Sequence, residues 1–139
     1  WWQFVIGFAA MHLTAGLILG VIFQLAHVVE GPAYPEPDEQ GVMEHTWLVH
    51  EMHTTADFAQ QNRWLSWYIG GLNFQIEHHL FPQVCSIHYP AISEIVREVA
   101  VKHQVPYHSH PTLRAAIRSH YTMLKRFGRP DLPLATTMA

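Results

Sequence analysis

A long apolar segment without a single charged side chain occupies residues 4–26. At a rise of about 1.5 Å per residue, a helix of this length spans roughly 34 Å. That is enough to cross the hydrocarbon core of a bilayer, which is about 30 Å thick. Trp1 and Trp2 precede the segment, where aromatic side chains anchor membrane helices at the lipid–water interface. The pattern predicts a membrane-spanning helix within residues 1–30; the alternative is a buried helix of a soluble protein.

From His12 onward, the strongly polar and the smallest residues of this segment fall on one side of the predicted helix. Five of them share an arc of about 120° on a helical wheel: His12, Gly16, Gly20, Gln24 and His27. Glycines four residues apart let helices approach closely, so this stripe predicts packing against neighbouring membrane helices. His12 lies roughly 22 Å along the helix from His27. The two cannot share a metal centre, and we expect His12 to form a hydrogen bond across a helix interface.

The rest of the chain has a different pattern. Residues 31–44 form a loop rich in proline, glycine and acidic residues, without apolar periodicity. Beyond the loop, four amphipathic helices are predicted: over residues 54–69, over about 73–81, from residue 90 onward, and from about residue 111 to just before residue 128. The pattern Thr54-x-x-Asp57 is a capping box that marks the start of the first. No stretch alternates well enough to predict a strand.

The distribution of charged and aromatic residues indicates which part of the chain lies in the cytoplasm and which surface contacts lipid headgroups. All eight lysines and arginines follow the apolar segment, which by the positive-inside tendency puts the following part in the cytoplasm. Trp64, Trp67 and Tyr68 suit a helix surface that rests against lipid headgroups. The predicted fold class is therefore all-α. It consists of one transmembrane helix in residues 1–30, the loop, and a helical cytoplasmic cap over residues 45–139.

The composition excludes several classes of protein. Charged residues make up 14% of the chain, the net charge is −3 and there is one cysteine, whereas an ordinary soluble domain has about 25% charged residues. A disordered chain, a basic nucleic-acid-binding protein and a disulfide-stabilised scaffold are therefore excluded. The twelve histidines outnumber the eight lysines and arginines together, which no ordinary fold requires.

One group of histidines has the spacing of a metal site. Gln75, His78 and His79 occupy positions i, i+3 and i+4 of a predicted helix, so their side chains project from one face. Neutral imidazoles suit iron, zinc or copper rather than magnesium or calcium. His27, with Gln24 one turn before it, ends the membrane helix at a depth where ionisable groups are usually functional. It is either a further ligand or a residue that bonds a neighbouring helix.

Other polar clusters have interpretations that the residues leave open. His45, His50 and His53 either ligate a metal or form the polar face before a helix. The last predicted helix carries five basic residues, which either meet phosphates, anionic headgroups or an acidic electron donor, or are simply solvated: Arg114, Arg118, Lys125, Arg126 and Arg129. The remaining histidines are interpreted as structural: His88, His103, His108, His110 and His120.

The sequence GGLNFQIEHHLFP at residues 70–82 resembles the third histidine box of the membrane fatty acid desaturases, of the acyl-lipid or linoleoyl-CoA type called front-end desaturases. In that group glutamine replaces the first histidine of the box, as Gln75 does here. FQLAHVVE and HTTADFA before the box, and IHYPAI and VPY after it, extend the resemblance to about residue 108. Ser86 departs from many relatives, which have a histidine there, so the site is not extended to it.

The resemblance implies a metal site and roles for five residues. His27, His78 and His79 match part of the family's histidine-rich di-iron site and are the expected metal ligands. Gln75 and Glu77 are the expected catalytic residues. Gln75 either binds iron, directly or through water, or orients a neighbour, and Glu77 either orients a ligating imidazole or forms a surface salt bridge. The implied cofactor is non-haem di-iron, with O₂ as co-substrate.

The reaction implied by the resemblance removes two hydrogens from an acyl chain, using O₂ and two external electrons. No side chain takes hydrogen from an unactivated methylene carbon, so a metal-based oxidant is required. The implied partners are a fatty acyl chain on CoA or on a lipid, an electron donor of the cytochrome b5 or ferredoxin type, and the bilayer, with no nucleic acid. A related lipid hydroxylase, a sphingolipid desaturase and a non-enzymatic membrane subunit that binds zinc or haem remain alternatives.

The two earlier histidine boxes of the family, HxxxH and HxxHH, do not occur in this sequence. The resemblance therefore implies a C-terminal fragment that starts in the last membrane span of the family. Since those boxes supply the other ligands, we expect the fragment alone to be inactive.

Overall fold

The computed structural model describes residues 1–129, most of which are helical. Residues 130–139, the end of the predicted cap, lie outside the described residues. In chain order the helices are α1 (Trp2–His27), α2 (Trp47–Thr54), α3 (Arg63–Tyr68), α4 (Gln75–Leu80), α5 (Tyr89–His103) and α6 (Leu113–Phe127). The remaining elements are a 3₁₀ turn (Ser86–His88) and two short strands, β1 (Ala56–Phe58) and β2 (His108–His110).

Helix α1 is the one helix within residues 1–129 that is long and apolar enough to cross a membrane. Its side chains are exposed from Trp2 to Leu17. From Ile18 onward one side of the helix packs against the following elements, and Ile22 and Leu25 are buried. The predicted apolar helix is therefore present, and it divides into an unpacked part and a packed end.

The predicted helix over residues 54–69 is wrong. Helix α2 already ends at Thr54, β1 follows, and α3 starts only after Asn62, whose side chain caps it. The carboxylate of Asp57 is fully buried and accepts a hydrogen bond from the backbone N–H of Ile76 at 2.9 Å. This tertiary partner satisfies the carboxylate, so the local capping-box pattern does not decide the conformation.

The prediction that the chain contains no strand is wrong as well. Strands β1 and β2 pair in parallel, with Ala56 opposite His108 and Phe58 opposite His110. Both strands are three residues long, and β1 is buried throughout. Neither therefore shows the alternation of apolar and polar residues that reveals a strand in a sequence. The helices predicted over residues 73–81, from residue 90 and from residue 111 are confirmed as α4, α5 and α6.

Two apolar clusters hold the described part together. The first joins the packed end of α1 to β1 and α6, and its buried members are Ile22, Leu25, Phe58, Ala59 and Ala116. The second joins α2, α4 and α5 through Met52, Ile76 and Ala100. Strand β1 contacts both α1 and α4. It therefore links the two clusters and fixes where α4 lies relative to the end of α1.

Helix α6 is attached to the segment that follows α1. The backbone N–H of Glu30 donates to Ser119 Oγ at 2.7 Å, and His120 Nδ1 lies 2.7 Å from the carbonyl oxygen of Val28. The guanidinium of Arg126 pairs with the carboxylate of Glu30 at 2.8 Å. These contacts hold α6 beside the packed end of α1.

Candidate metal centre

Two histidines that are 52 residues apart in the sequence meet at the end of α1. His27 is the last residue of α1, and His79 lies in the last turn of α4. Their Nε2 atoms are 3.4 Å apart, and the rings stand edge to face with centroids 5.2 Å apart. The two side chains meet because β1 packs against both helices.

The second nitrogen of each ring faces an oxygen atom. His27 Nδ1 lies 3.3 Å from the backbone carbonyl oxygen of Thr54, and His79 Nδ1 lies 3.2 Å from Oε2 of Glu51. When Nδ1–H of a neutral imidazole donates to such an oxygen, Nε2 is unprotonated and has a lone pair that can bind a metal ion. Burial lowers the pKa of His79, although the Glu51 carboxylate opposes this, and the neutral form of the ring is favoured at pH 7.

The donor pair fits a transition-metal ion. Two imidazole nitrogens that bind one metal ion at about 2.1 Å lie roughly 3.0–3.4 Å apart, and the Nε2 atoms of His27 and His79 have such a separation. Both rings are oriented through Nδ1, as ligating histidines usually are. Within residues 1–129, no group of three or more His, Cys, Asp or Glu side chains is arranged to hold a metal ion alone. The pair therefore fits part of a donor set.

His78 stands beside this pair. Its ring centroid lies 5.8 Å from that of His79, and its Nδ1 is 3.4 Å from the hydroxyl oxygen of Tyr89. Successive residues of a helix point about 100° apart, so His78 and His79 present their nitrogen atoms in different directions. Of the three expected ligands, the structure brings His27 and His79 together and leaves His78 next to them.

Gln75 is fully buried one turn before His79, on the same face of α4. Neither its Oε1 nor its Nε2 has a hydrogen-bond partner among residues 1–129. A buried polar group without a partner costs about 1–3 kcal/mol, so we expect the amide to bond a group outside the described residues. A buried amide without a partner among the described residues suits each role considered for Gln75: binding a metal ion directly, binding it through water, or orienting a neighbour.

Glu77 is also fully buried, and its hydrogen-bond partner is Tyr107 rather than a histidine. The surface salt bridge considered for Glu77 is therefore not formed within the described residues. The Tyr107 hydroxyl donates to Asp57 Oδ2 at 2.6 Å and lies 3.0 Å from Glu77 Oε1. Because a phenol has one proton, the second short contact requires a proton on a carboxyl group. Burial and the nearby Asp57 carboxylate raise the pKa of Glu77 to about 9, and burial also raises the pKa of Asp57.

This hydrogen-bond network extends from the start of α4 to the protein surface. The side-chain amide of Gln60 donates to Asp57 Oδ2 at 2.7 Å and to the Tyr107 hydroxyl at 2.9 Å. The guanidinium of Arg97 donates to Gln60 Oε1 at 2.8 Å and lies 5.0 Å from the centre of the Tyr107 ring. Since Asp57 also bonds the backbone of Ile76, the network holds the first turn of the histidine-bearing helix.

Three residues around the histidines were not predicted as part of the site: Glu51, Asp57 and Tyr107. Glu51 has no local pattern that connects it to His79, because the contact forms only when α2 packs against α4. Asp57 and Tyr107 lie in the segments HTTADFA and VPY. Those segments extend the resemblance described above, which was the signal available for both residues.

The other histidines have separate contacts. The rings of His45 and His53 stack with centroids 4.7 Å apart, and burial, together with the charges of His45 and His50, lowers the pKa of His53. The described residues form no group of three metal-binding side chains there. His12 Nδ1 lies 3.0 Å from the carbonyl oxygen of Phe8 in its own helix. Its contact across a helix interface stays a prediction.

The chain is similar to known fatty acid desaturases. The fatty acid desaturase family model matches residues 1–111. The sn-1 linoleoyl-lipid 6-desaturase of Synechocystis sp. is 40% identical over 128 residues, which cover 91% of this chain and 36% of that protein. The enzyme of the same name from Arthrospira platensis is 42% identical over 122 residues, covering 88% and 33%. The acyl-lipid (8-3)-desaturase of Physcomitrium patens is 42% identical over 127 residues, covering 91% and 26%.

The chain thus spans about a third or less of the length of these relatives. No solved structure matches it. The family match includes α1, β1 and the histidine box on α4, the elements that bring His27 and His79 together. On this evidence the chain belongs to the fatty acid desaturase family.

Proposed function

We propose that this chain is part of an enzyme that introduces a double bond into the fatty acyl chain of a lipid, using O₂ and two electrons from an external donor. The meeting of His27 and His79 carries the proposal, because their Nε2 atoms lie 3.4 Å apart, close to the separation of two imidazole nitrogens that bind one metal ion. The names of the relatives supply the substrate class, since they are called linoleoyl-lipid and acyl-lipid desaturases. The related hydroxylase and sphingolipid desaturase reactions are outcomes of the test below.

The cofactor in this proposal is a non-haem di-iron centre, held in part by His27, His78 and His79. Iron supplies the activation of O₂ needed to remove hydrogen from unactivated methylene groups, which no side chain can perform. The chain's own residues keep the donors in place. Glu51 holds the imidazole of His79 in one orientation, and the carbonyl of Thr54 does so for His27.

The donors within residues 1–129 are too few for two metal ions. Residues 1–129 contain no group of three metal-binding side chains that would serve one ion alone. Gln75 adds a buried amide whose two polar atoms lack partners in the described residues. We propose that two further histidine boxes of the full-length protein complete the set, and we expect the 139-residue chain alone to be inactive.

The proposed arrangement has α1 crossing the bilayer, with the elements from α2 to α6 on the cytoplasmic side. The length of α1 and its exposed apolar surface support this placement. A cytoplasmic site at the end of a membrane helix brings the donors close to acyl chains and to an electron donor, which we propose to be of the cytochrome b5 or ferredoxin type.

Lipid analysis of a host that expresses the full-length protein tests this function. Wild-type protein is expected to add a double bond to host acyl chains. His79→Ala is expected to abolish that product and to lower the iron content of the purified protein, because a metal donor is lost. The matched control is His103→Ala, which removes an exposed histidine at the end of α5 and is expected to leave both quantities unchanged.

Other outcomes would contradict the proposal in distinct ways. Hydroxylated chains without new double bonds would assign the related hydroxylase reaction, and new double bonds confined to sphingolipids would assign the sphingolipid desaturase reaction. Zinc or haem in place of paired non-haem iron would indicate a non-enzymatic metal-binding subunit. Equal iron content in His79→Ala and His103→Ala would remove His79 from the metal site.

A further inference from the structure

Helix α3 presents three large aromatic side chains to its surroundings. Trp64, Trp67 and Tyr68 are 81%, 76% and 65% exposed, and the two indole rings stand edge to face with centroids 6.3 Å apart. Such side chains have an apolar body and one polar atom, a combination that favours the boundary between lipid and water. Arg63, at the first position of α3, adds a cation that suits the same boundary.

The opposite side of α3 packs against the apolar cluster that buries the end of α1. Leu65 and Ile69 pack against the first apolar cluster, together with Ile18 and the buried Ile22 of α1. Along α1, the side chains before Ile18 are exposed, and burial begins at that residue. The aromatic face of α3 therefore lies beside the packed end of α1, where Ile22 and Leu25 are buried.

Neighbouring membrane helices are expected on the other side of α1. The stripe of small and polar residues lies about 180° around the helix from Ile18, Ile22 and Leu25. A Cβ atom added to Gly16 or Gly20 would meet no atom within 4 Å, so this stripe is open for helix packing. Helices that cover the stripe would leave the side on which α3 lies free for lipid.

We infer that the aromatic face of α3, formed by Trp64, Trp67 and Tyr68, lies in the lipid–water interface, beside the packed end of α1. The inference rests on the membrane placement proposed above and adds a bilayer boundary at the packed end of α1. From Trp2 to Ile22 the helix extends about 30 Å, which matches the thickness of the hydrocarbon core. The histidine pair at the end of the same helix then lies close to that boundary.

Photocrosslinking of the full-length protein tests this contact. The protein is reconstituted in nanodiscs of phosphatidylcholine and phosphatidylglycerol, with the photoreactive residue p-benzoylphenylalanine in place of Trp67 or, in a second variant, Trp64. The reference for lipid contact is Met11, an exposed residue of α1 two turns before Ile18 on the same side of the helix. The control is Val101, an exposed apolar residue of α5.

Mass spectrometry identifies what each position captures. We expect lipid adducts at residues 64 and 67 in yields comparable with those at Met11, and their absence at Val101. Adducts with another segment of the protein at both positions of α3, or no adducts there, would overturn the inference if Met11 still captures lipid. If Met11 captures no lipid either, the proposed membrane placement fails, and the inference fails with it.

Discussion

Replacement of Tyr107 by phenylalanine removes one oxygen atom from the hydrogen-bond network behind the histidine-bearing helix. That oxygen donates to Asp57 at 2.6 Å, lies 3.0 Å from Glu77 and accepts a bond from Gln60 at 2.9 Å. Phenylalanine has the same ring, so the packing of the side chain is kept. The change is therefore confined to the polar contacts of two buried carboxyl groups.

The loss in the free energy of unfolding follows from the hydrogen bonds that the buried carboxyl groups of Asp57 and Glu77 lose. Asp57 and Glu77 are fully buried, so neither carboxyl group replaces the lost contact with water. A buried acceptor without its donor costs about 1–3 kcal/mol, and more when it is charged. Because Asp57 keeps its bonds to Gln60 and Ile76, we expect a loss of about 3 kcal/mol for the pair. At about 2 °C per kcal/mol, the melting temperature falls by roughly 6 °C.

Thermal melts of the full-length protein in detergent measure this loss, with Tyr121→Phe as the matched control. Tyr121 is 59% exposed on α6, and Lys125 lies over its ring. The same substitution there is expected to change stability by less than about 0.5 kcal/mol. If Tyr107→Phe melts together with Tyr121→Phe, the network does not stabilise the fold and the reasoning is refuted.

The buried carboxyl groups of Asp57 and Glu77, called the carboxyl pair below, are also expected to make the melting temperature fall as pH rises. Burial raises the pKa of Asp57, so the folded protein keeps a proton that the unfolded chain releases above about pH 4. The contribution of the retained proton to the free energy of unfolding therefore decreases as pH rises. The decrease ends when the carboxyl pair of the folded protein loses this proton near the pKa of Glu77, about 9. Melts of metal-free protein between about pH 7 and 9, where unfolded histidines are mostly neutral, should show the fall, and Asp57→Asn should reduce it. A constant melting temperature would contradict the shared proton.

Two further predictions concern a turn and the metal ligands. Gly71→Ala is expected to destabilise the protein by about 1–3 kcal/mol more than Gly41→Ala. Both glycines have positive φ, 83° and 79°, but only at Gly71 would the new Cβ meet a side chain, at 2.7 Å; equal melting temperatures would contradict this close contact. Glu51→Gln is expected to weaken iron binding about 10- to 100-fold, because it removes the charge that orients His79. Glu98→Gln, on the exposed side of α5, is expected to leave iron affinity unchanged, and equal affinities in both variants would separate Glu51 from the site.

Features that depend on residues close together in the chain were predictable. The length of the apolar segment predicted α1, proline positions predicted where α5 and α6 begin, and Gly128 predicted where α6 ends. The spacing of Gln75, His78 and His79 predicted one helical face, and α4 covers those residues. Helix geometry relates residues three or four apart, so the sequence contains this information directly.

Contacts between distant segments were decided only by the tertiary structure. The capping-box pattern predicted a helix through Asp57, but burial and a bond to Ile76 put that residue in a strand. The carboxylate beside His79 is that of Glu51 and not that of Glu77, because α2 packs on the same side of α4 as the imidazole. The chain itself determined which residues bear metal-binding nitrogen atoms. Which of them meet depends on β1, which joins α1 and α4 through packing that no local pattern encodes.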